Sequence, residues 1–434
     1  MKQKLLFILF LGVISVFAVS GLSCRNTPTA TTKLKLWVVN YQATNFKNTI
    51  DSFSSQNSAQ IDVTEKTAAT FETDLLNALA SHQGPDVVMT DSDFITQHKD
   101  IFAPCVNNVS GKTTDCDSKV VKDKYVDTVN SLVFDNKIYG YPFKVETPMV
   151  FYNSAMFSKA ENITKMYQVP YFWNEFVTLS RALTQKDSSG NITVSGLAIG
   201  TSSNVPNASD ILYSIMLQNS TKISSNTPPP LALFQAPIIS ETGGTIYPGI
   251  KALEFYTSFS NPSSQNYSFN SSFDTAWKAF AANKVAMIID YPERLDDIRK
   301  LNQNIRIGTS LFPQIENTPN PVVYGKVAAF GITNDSSNHA LAWDLARNLV
   351  QNFNTLYVKK GTSSQDWHLA NGTSSVWQAE ANFAQTVYKD KYYKEFDQTI
   401  NTMIDSVAKK QVIAPTAIDQ AANDINQLIQ ATKN

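Results

Sequence analysis

Histidine and cysteine are scarce, four and three in 434 residues. His82, His98, His339 and His368 lie far apart and near no cysteine pair, which argues against zinc or another bound metal. Catalytic signatures are missing too: there is no G-x-S-x-G elbow, no H-E-x-x-H, no phosphate loop and no cysteine beside a histidine. No cofactor is therefore expected, and the residues favour a binding protein over an enzyme. A glycosidase needs only two carboxylates about 5 to 9.5 Å apart, so Glu146 with Asp93 or Glu293 leaves that alternative open. Charge of either sign is not in excess, at 36 Lys+Arg against 37 Asp+Glu. A nucleic-acid partner would call for a clustered basic face that this balance does not supply.

One apolar run stands out, Leu5 to Val19, broken only by Gly12 and Ser15 and preceded by Lys2 and Lys4. It is short for a membrane-spanning helix, which needs ~20 residues, and reads as an export signal over residues 1–23. Removing it takes away two lysines and no acids, leaving a mildly acidic mature chain. Gly21-Leu22-Ser23-Cys24 resembles a bacterial lipobox with its leucine one place late, which implies lipidation of Cys24; an ordinary secretory signal is the alternative. Residues 24–32 then form a flexible tether. The expected location is the outer face of the cell membrane, lipid-anchored, or secreted or periplasmic if Cys24 is not lipidated. Outside the cytoplasm, Cys105 and Cys116, eleven positions apart in a polar segment, are candidates for a loop-closing disulfide.

The length suits two or three domains' worth of core. Along the mature chain, "KLKLWVVNY" reads as a strand, residues 44–56 as a helix, "QIDVTEKT" as a strand, and "FETDLLNALASHQGPDVVM" as a helix ended by Gly84 and Pro85 before a third strand. This succession predicts a mostly parallel sheet flanked by helices. Ligands in such sheets sit beyond the carboxyl ends of the strands, which makes Asn40, Tyr41, Thr90, Asp91 and Asp93 candidates on position. Further on come a helix at "YFWNEFVTLSRAL", a strand ending in Thr201-Ser202-Ser203-Asn204, and a Pro/Ser/Thr/Gly-rich stretch over 220–249. A strand from Val285 to Ile289 opens onto Asp290-Tyr291-Pro292-Glu293-Arg294, and the chain ends in helices.

"GPDVVMTDSDF", "NKIYGYPFKVETPMVFYN", "FWNEFVTLSRAL", "AWKAFAANKVAMIIDYP" and "YGKVAAFGIT", in this order and spacing, resemble the family 1 extracellular solute-binding proteins, the sugar-type receptors of ABC importers. The resemblance spans nearly the whole mature chain. It implies a two-lobed, type II periplasmic-binding-protein-like α/β fold, each lobe a mostly parallel sheet flanked by helices. The first lobe is expected at 33–145 plus 329–378 and the second at 147–326 plus 380–434, with hinge crossings near 144–148, 324–329 and 378–382. It further implies a sugar or oligosaccharide ligand, membrane permease subunits as partners and a monomeric receptor. The alternatives are a surface lipoprotein of this fold acting as adhesin or sensor partner and, behind it, a carbohydrate hydrolase.

Residue by residue, Glu146 falls on the family's hinge-strand carboxylate. An ionised carboxylate there accepts two or more sugar hydroxyls, or else it pairs with Lys144 or Lys326. Asp93 falls on the family's other sugar-binding carboxylate, while Thr90 stands where the family has a stacking ring. Asp91 and Asp93 could equally cap the next helix. Tyr291 offers a flat ring to the apolar face of a pyranose, and Glu293 takes the family aromatic's slot in strict register. Arg294 is a bidentate donor or solvated surface. Trp37 reads as core and Tyr41 as the better platform, Ser202 and Ser203 offer short hydrogen-bonding groups or an ordinary turn, and Trp367 is a cleft-mouth aromatic or a loop anchor.

Overall fold

The computed structural model describes residues 32–106, 116–157, 169–240, 242–316, 320–352, 376 and 379–432. Cys24, the tether up to residue 31, and Trp367 lie outside the described residues.

Alternation in the first strand sets the first core. In β1 (Thr32–Val39) the side chains of Leu34, Leu36 and Val38 turn to one face, where Phe46 and α1 (Lys47–Asn57) cover them with Ile50 and Phe53. Trp37 turns to the other face and is 9% exposed, with Lys66 Nζ 4.1 Å above its ring. The next elements are β2 (Ala59–Lys66), α2 (Ala68–Ala80), β3 (Val87–Asp91), α3 (Ser92–Gln97) and β4 (Phe102–Ala103). Phe71 and Leu75 of α2 pack with Trp37 and Val88. Val87, Val88 and Met89 are all buried, as a central strand covered on both faces requires.

Past β5 (Tyr141–Glu146) the chain changes sheets within two residues, at Thr147-Pro148, and enters β6 (Met149–Asn153). A second set follows: α4 (Trp173–Leu183), β7 (Gln185–Lys186), β8 (Ile192–Leu197), α5 (Ala208–Gln218), β9 (Val285–Asp290), α6 (Arg294–Leu301) and β10 (Ile307–Ser310). In α4 the indole of Trp173 is buried and donates to Gln218 Oε1 at 2.9 Å, while Phe172 is the half-buried N-cap. The chain returns through β11 (Val323–Tyr324) to β12 (Lys326–Thr333) and α7 (His339–Asn352), then closes with β13 (Ala384–Gln385), α8 (Tyr393–Ala408) and α9 (Ala414–Ala431).

The two sheets are mixed, which corrects the expectation of mostly parallel ones. In the first, ordered β2-β1-β3-β12-β4 with β5 also on β12, only β1–β2 and β1–β3 are parallel. In the second, ordered β10-β6-β9-β8-β7, only β8–β9 is parallel. Most of the antiparallel pairs come from the crossing: strands that leave or return between sheets run against their neighbours, and local β-α-β patterning does not record that direction, while β7 and β8 pair as a local hairpin.

The crossings pack side by side. Gly325 donates its N–H to Gln385 O at 3.0 Å, and a Cβ on Gly325 would lie 2.8 Å from Ala384 Cβ, so no larger residue fits. Glu380 is fully buried, accepting from Thr147 Oγ1 at 2.9 Å and from the Phe312 N–H. Cys105 and Cys116 form the expected disulfide. Their sulfurs lie beside the Arg347 guanidinium, which also donates to Val106 O.

Candidate functional site

The ends of β1, β3, β5 and β12 face the start of α5, the end of β9 and the approach to α8. At this junction long side chains from both sheets converge, and charged groups dominate.

One knot centres on Lys144 in β5, whose ammonium lies 3.0 Å from Glu146 Oε1 and also donates to Glu293 Oε1. Tyr41, in the loop after β1, donates toward Glu146 at 3.3 Å and Glu293 at 3.4 Å, with the Lys144 ammonium 4.7 Å over its ring. Burial opposes the ammonium, but Glu146 and Glu293 outweigh it and hold the Lys144 pKa above its ordinary value. Burial pushes the Glu146 carboxyl up; Lys144 only partly offsets this, and Glu293 adds to it.

A second knot centres on Lys389, which is 2% exposed. Its ammonium lies 3.0 Å from Asp93 Oδ2 and 3.1 Å from Asp397 Oδ1, and donates to Tyr324 Oη at 3.0 Å. Tyr324 donates to Asp93 at 3.2 Å and Tyr213 to Asp397 at 3.0 Å. Burial alone would raise the Asp93 pKa, yet Lys389 and Lys326 hold it below the ordinary carboxylate value. Asp397 is raised, because its burial exceeds what Lys389 returns.

Lys326 joins the two knots. It sits opposite Glu146 in the β5–β12 ladder, and its ammonium reaches 3.4 Å from Asp210 Oδ2 and 4.0 Å from Asp93 Oδ2. Burial opposes its charge, but Asp210 heads the groups that raise its pKa well above the ordinary lysine value. Asp210 Oδ2 also accepts from Tyr291 Oη at 2.7 Å. Beside this junction a cavity of about 420 Å³ opens between Ser202 and α8, lined among others by Tyr393, Asp397, Asn401, Thr402 and Asp405.

The structure thus brings together Tyr41, Asp93, Glu146, Tyr291 and Glu293, and of the two alternatives for Glu146 it displays the Lys144 pair. Other candidates have local partners. Asp91 caps α3, accepting from Phe94 N at 2.8 Å. Asn40 has φ 58°, and its side chain accepts from Ala68 N at 3.2 Å, capping α2. Thr90 is buried in the sheet opposite Ala329. Arg294 pairs with Asp290 at 3.5 Å and Asp297 at 2.9 Å and lies over the Trp277 ring. Ser202 and Ser203 donate backbone N–H groups to Asp405 Oδ1, and Ser202 Oγ donates to Asn401 O, beside the cavity that Asp397 also lines.

Lys389, Asp397, Tyr324 and Asp210 were not among the sequence candidates. Asp210 lies in the first turn of α5, where acids are common for helical reasons alone. Lys389 follows a predicted crossing, and that position is the one signal that could have marked it. Among the described residues no group of three or more His, Cys, Asp or Glu could hold a metal ion, and no helix is long and apolar enough to cross a membrane.

Residues 48–364 match the family model for bacterial extracellular solute-binding proteins. The chain belongs to that family, whose description places it outside the cytoplasm. Sequence comparison with curated proteins finds no match. Among solved structures, the ABC transporter solute-binding protein of Thermotoga lettingae, bound with α-D-tagatose, is similar with a TM-score of 0.66 at 19% identity, over 92% of this chain and 100% of that one. The sugar-binding protein MalE of Xanthomonas citri has a TM-score of 0.69 at 16% identity, over 93% and 98%. The maltotriose-binding protein of Thermus thermophilus, bound with maltotriose, has 0.64 at 16%, over 91% and 100%. At these identities the likeness establishes the two-lobed fold.

Proposed function

We propose that the chain is the receptor of an ABC importer, capturing a sugar or oligosaccharide between its lobes and presenting it to membrane permease subunits. The observation that carries this reading is the convergence of Tyr41, Glu146 and Asp93 from one sheet with Tyr291, Glu293 and Asp397 from the other half of the chain. Carboxylates accept sugar hydroxyls in pairs and tyrosine rings cover apolar sugar faces. A solute that touches both halves favours the closed arrangement by its differential contacts alone. No residue is altered in the cycle, and ATP is used by other subunits.

The lobes we assign are 33–145 plus 329–378 and 147–326 plus 380–434; the change of sheet at Thr147-Pro148 supports the first boundary, while β12 already joins the first sheet at Lys326. A lipid anchor at Cys24 completes the proposal, drawing on Gly21-Leu22-Ser23-Cys24. A second reading, an adhesin or sensor partner of this fold, draws on how fully Lys144, Glu146, Glu293 and Tyr41 satisfy one another without a solute. Thermal-shift screening against mono- and oligosaccharides, amino sugars and polyols separates the readings. A saturable shift without turnover is expected; release of a hydrolysis product overturns the receptor reading, and no shift across the panel favours the adhesin.

A further inference from the structure

Among the described residues, acids at the junction outnumber lysines. Five carboxyl groups are paired there, those of Asp93, Glu146, Asp210, Glu293 and Asp397, against the three ammonium groups of Lys144, Lys326 and Lys389, and Asp91 lies close by while capping α3. Each lysine is divided between two acids: Lys144 between Glu146 and Glu293, Lys389 between Asp93 and Asp397, and Lys326 between Asp210 and Asp93. The neighbouring Asp290 and Asp297 share Arg294, with Lys300 also on Asp297, and leave the imbalance unchanged.

An independent sign lies on Asp210. The residue is 5% exposed, and while Oδ2 serves Tyr291 and Lys326, its other oxygen, Oδ1, is buried and has no hydrogen-bond partner among the described residues. A buried acceptor without a donor is costly, the more so when charged, so a donor arriving with the solute relieves that cost. Hydroxyls of a neutral sugar supply hydrogen bonds but no charge. An ammonium supplies both, with three donors on one centre.

The site already shows what it does with ammonium groups. Lys389 Nζ lies between two carboxylates, 5.2 Å from the Tyr213 ring centre and 5.3 Å from that of Tyr324, and Lys144 Nζ is held likewise by two glutamates and the Tyr41 ring. We infer that the solute is a sugar bearing a protonated amine, whose cation completes the charge balance of the junction beside Asp210. This rests on the receptor reading above and narrows its ligand to amino sugars with a free amine. In keeping with the crowding of acids, burial and neighbouring acids push the Glu146 and Asp397 carboxyls up.

Calorimetric titration of the mature chain at neutral pH tests it with glucosamine, N-acetylglucosamine, glucose and glucuronic acid, each as monomer and β-1,4 trimer. The amine form is expected to bind at least about tenfold tighter than its acetylated and neutral counterparts, with the uronate weakest. Asp210→Asn is expected to narrow the amine-to-neutral ratio by about tenfold, read beside its melting curve. A neutral or acetylated form that binds as tightly as its amine, or any neutral sugar that binds when no amine does, overturns the inference and leaves the receptor reading standing. Absence of binding by every sugar overturns both.

Discussion

Lys389 Nζ lies 3.0 Å from Asp93 Oδ2, tying the approach to α8 to the first turn of α3. The pair is nearly dry, and breaking a buried ion pair on one side leaves the other charge uncompensated, typically at 3–5 kcal/mol. Lys389→Met strands both Asp93 and Asp397 and is expected to destabilise the protein by about 3 kcal/mol in urea denaturation. Adding Asp93→Asn to it should recover part of that loss; strictly additive losses would contradict the coupling.

Glu293 is the acceptor on the second half for both Tyr41 and Lys144. Hydrogen bonds to charged groups contribute about 1.5–3 kcal/mol, so Glu293→Ala should shift the empty protein toward an open arrangement by roughly ten- to a hundredfold. Small-angle X-ray scattering of the solute-free variant is expected to show a larger radius of gyration. An unchanged profile would mean that this contact does not hold the halves together.

Glu380 has no cationic partner among its described contacts, and burial pushes its carboxyl up to about 8 from 4.5, only partly opposed by the Phe312 N–H and Thr147. Between about pH 4.5 and 8 the folded protein holds this proton while the unfolded chain releases it. Stability from this group therefore falls as pH rises across that window, at about 1.4 kcal/mol per pH unit. Glu380→Gln should flatten that slope and make the protein more stable than wild type near pH 8. Denaturation curves at several pH values check this, and an unaltered slope would contradict it.

The Cys105–Cys116 bridge closes a loop with a sequence separation of 11. By chain entropy, Cys105→Ser with Cys116→Ser should cost about 3 kcal/mol. Urea midpoints of the double variant against wild type measure it; equal midpoints would show that the bridge adds nothing.

Periodic residues made the order of elements legible. Leu34, Leu36 and Val38 alternate into one core, Phe71 and Leu75 stripe a helix, and the interruption at Thr147-Pro148 marks a true change of sheet. Glu146, Lys144 and Lys326 could be foreseen together because two predicted crossings place them on neighbouring strands. Strand direction was not legible, since β12 runs against β3 only because the chain has visited another sheet between them. Nor was the second knot: Tyr324 meets Asp93 across 231 positions, and no local pattern encodes a partner that distant. Thr90, Asn40 and Asp91 were placed at the correct strand ends but turn to packing and capping, which position alone does not separate from binding.

Glu146 is the central residue, because it lies at the crossing and shares Lys144 and Tyr41 with Glu293 of the second half. The most direct measurement is calorimetry with the best-binding sugar of the panel, on wild type and on Glu146→Ala, with circular dichroism to confirm that the variant is folded. An affinity loss of about ten- to a hundredfold is expected, as befits removal of a charged acceptor. A folded Glu146→Ala protein that binds the sugar as tightly as wild type would contradict it.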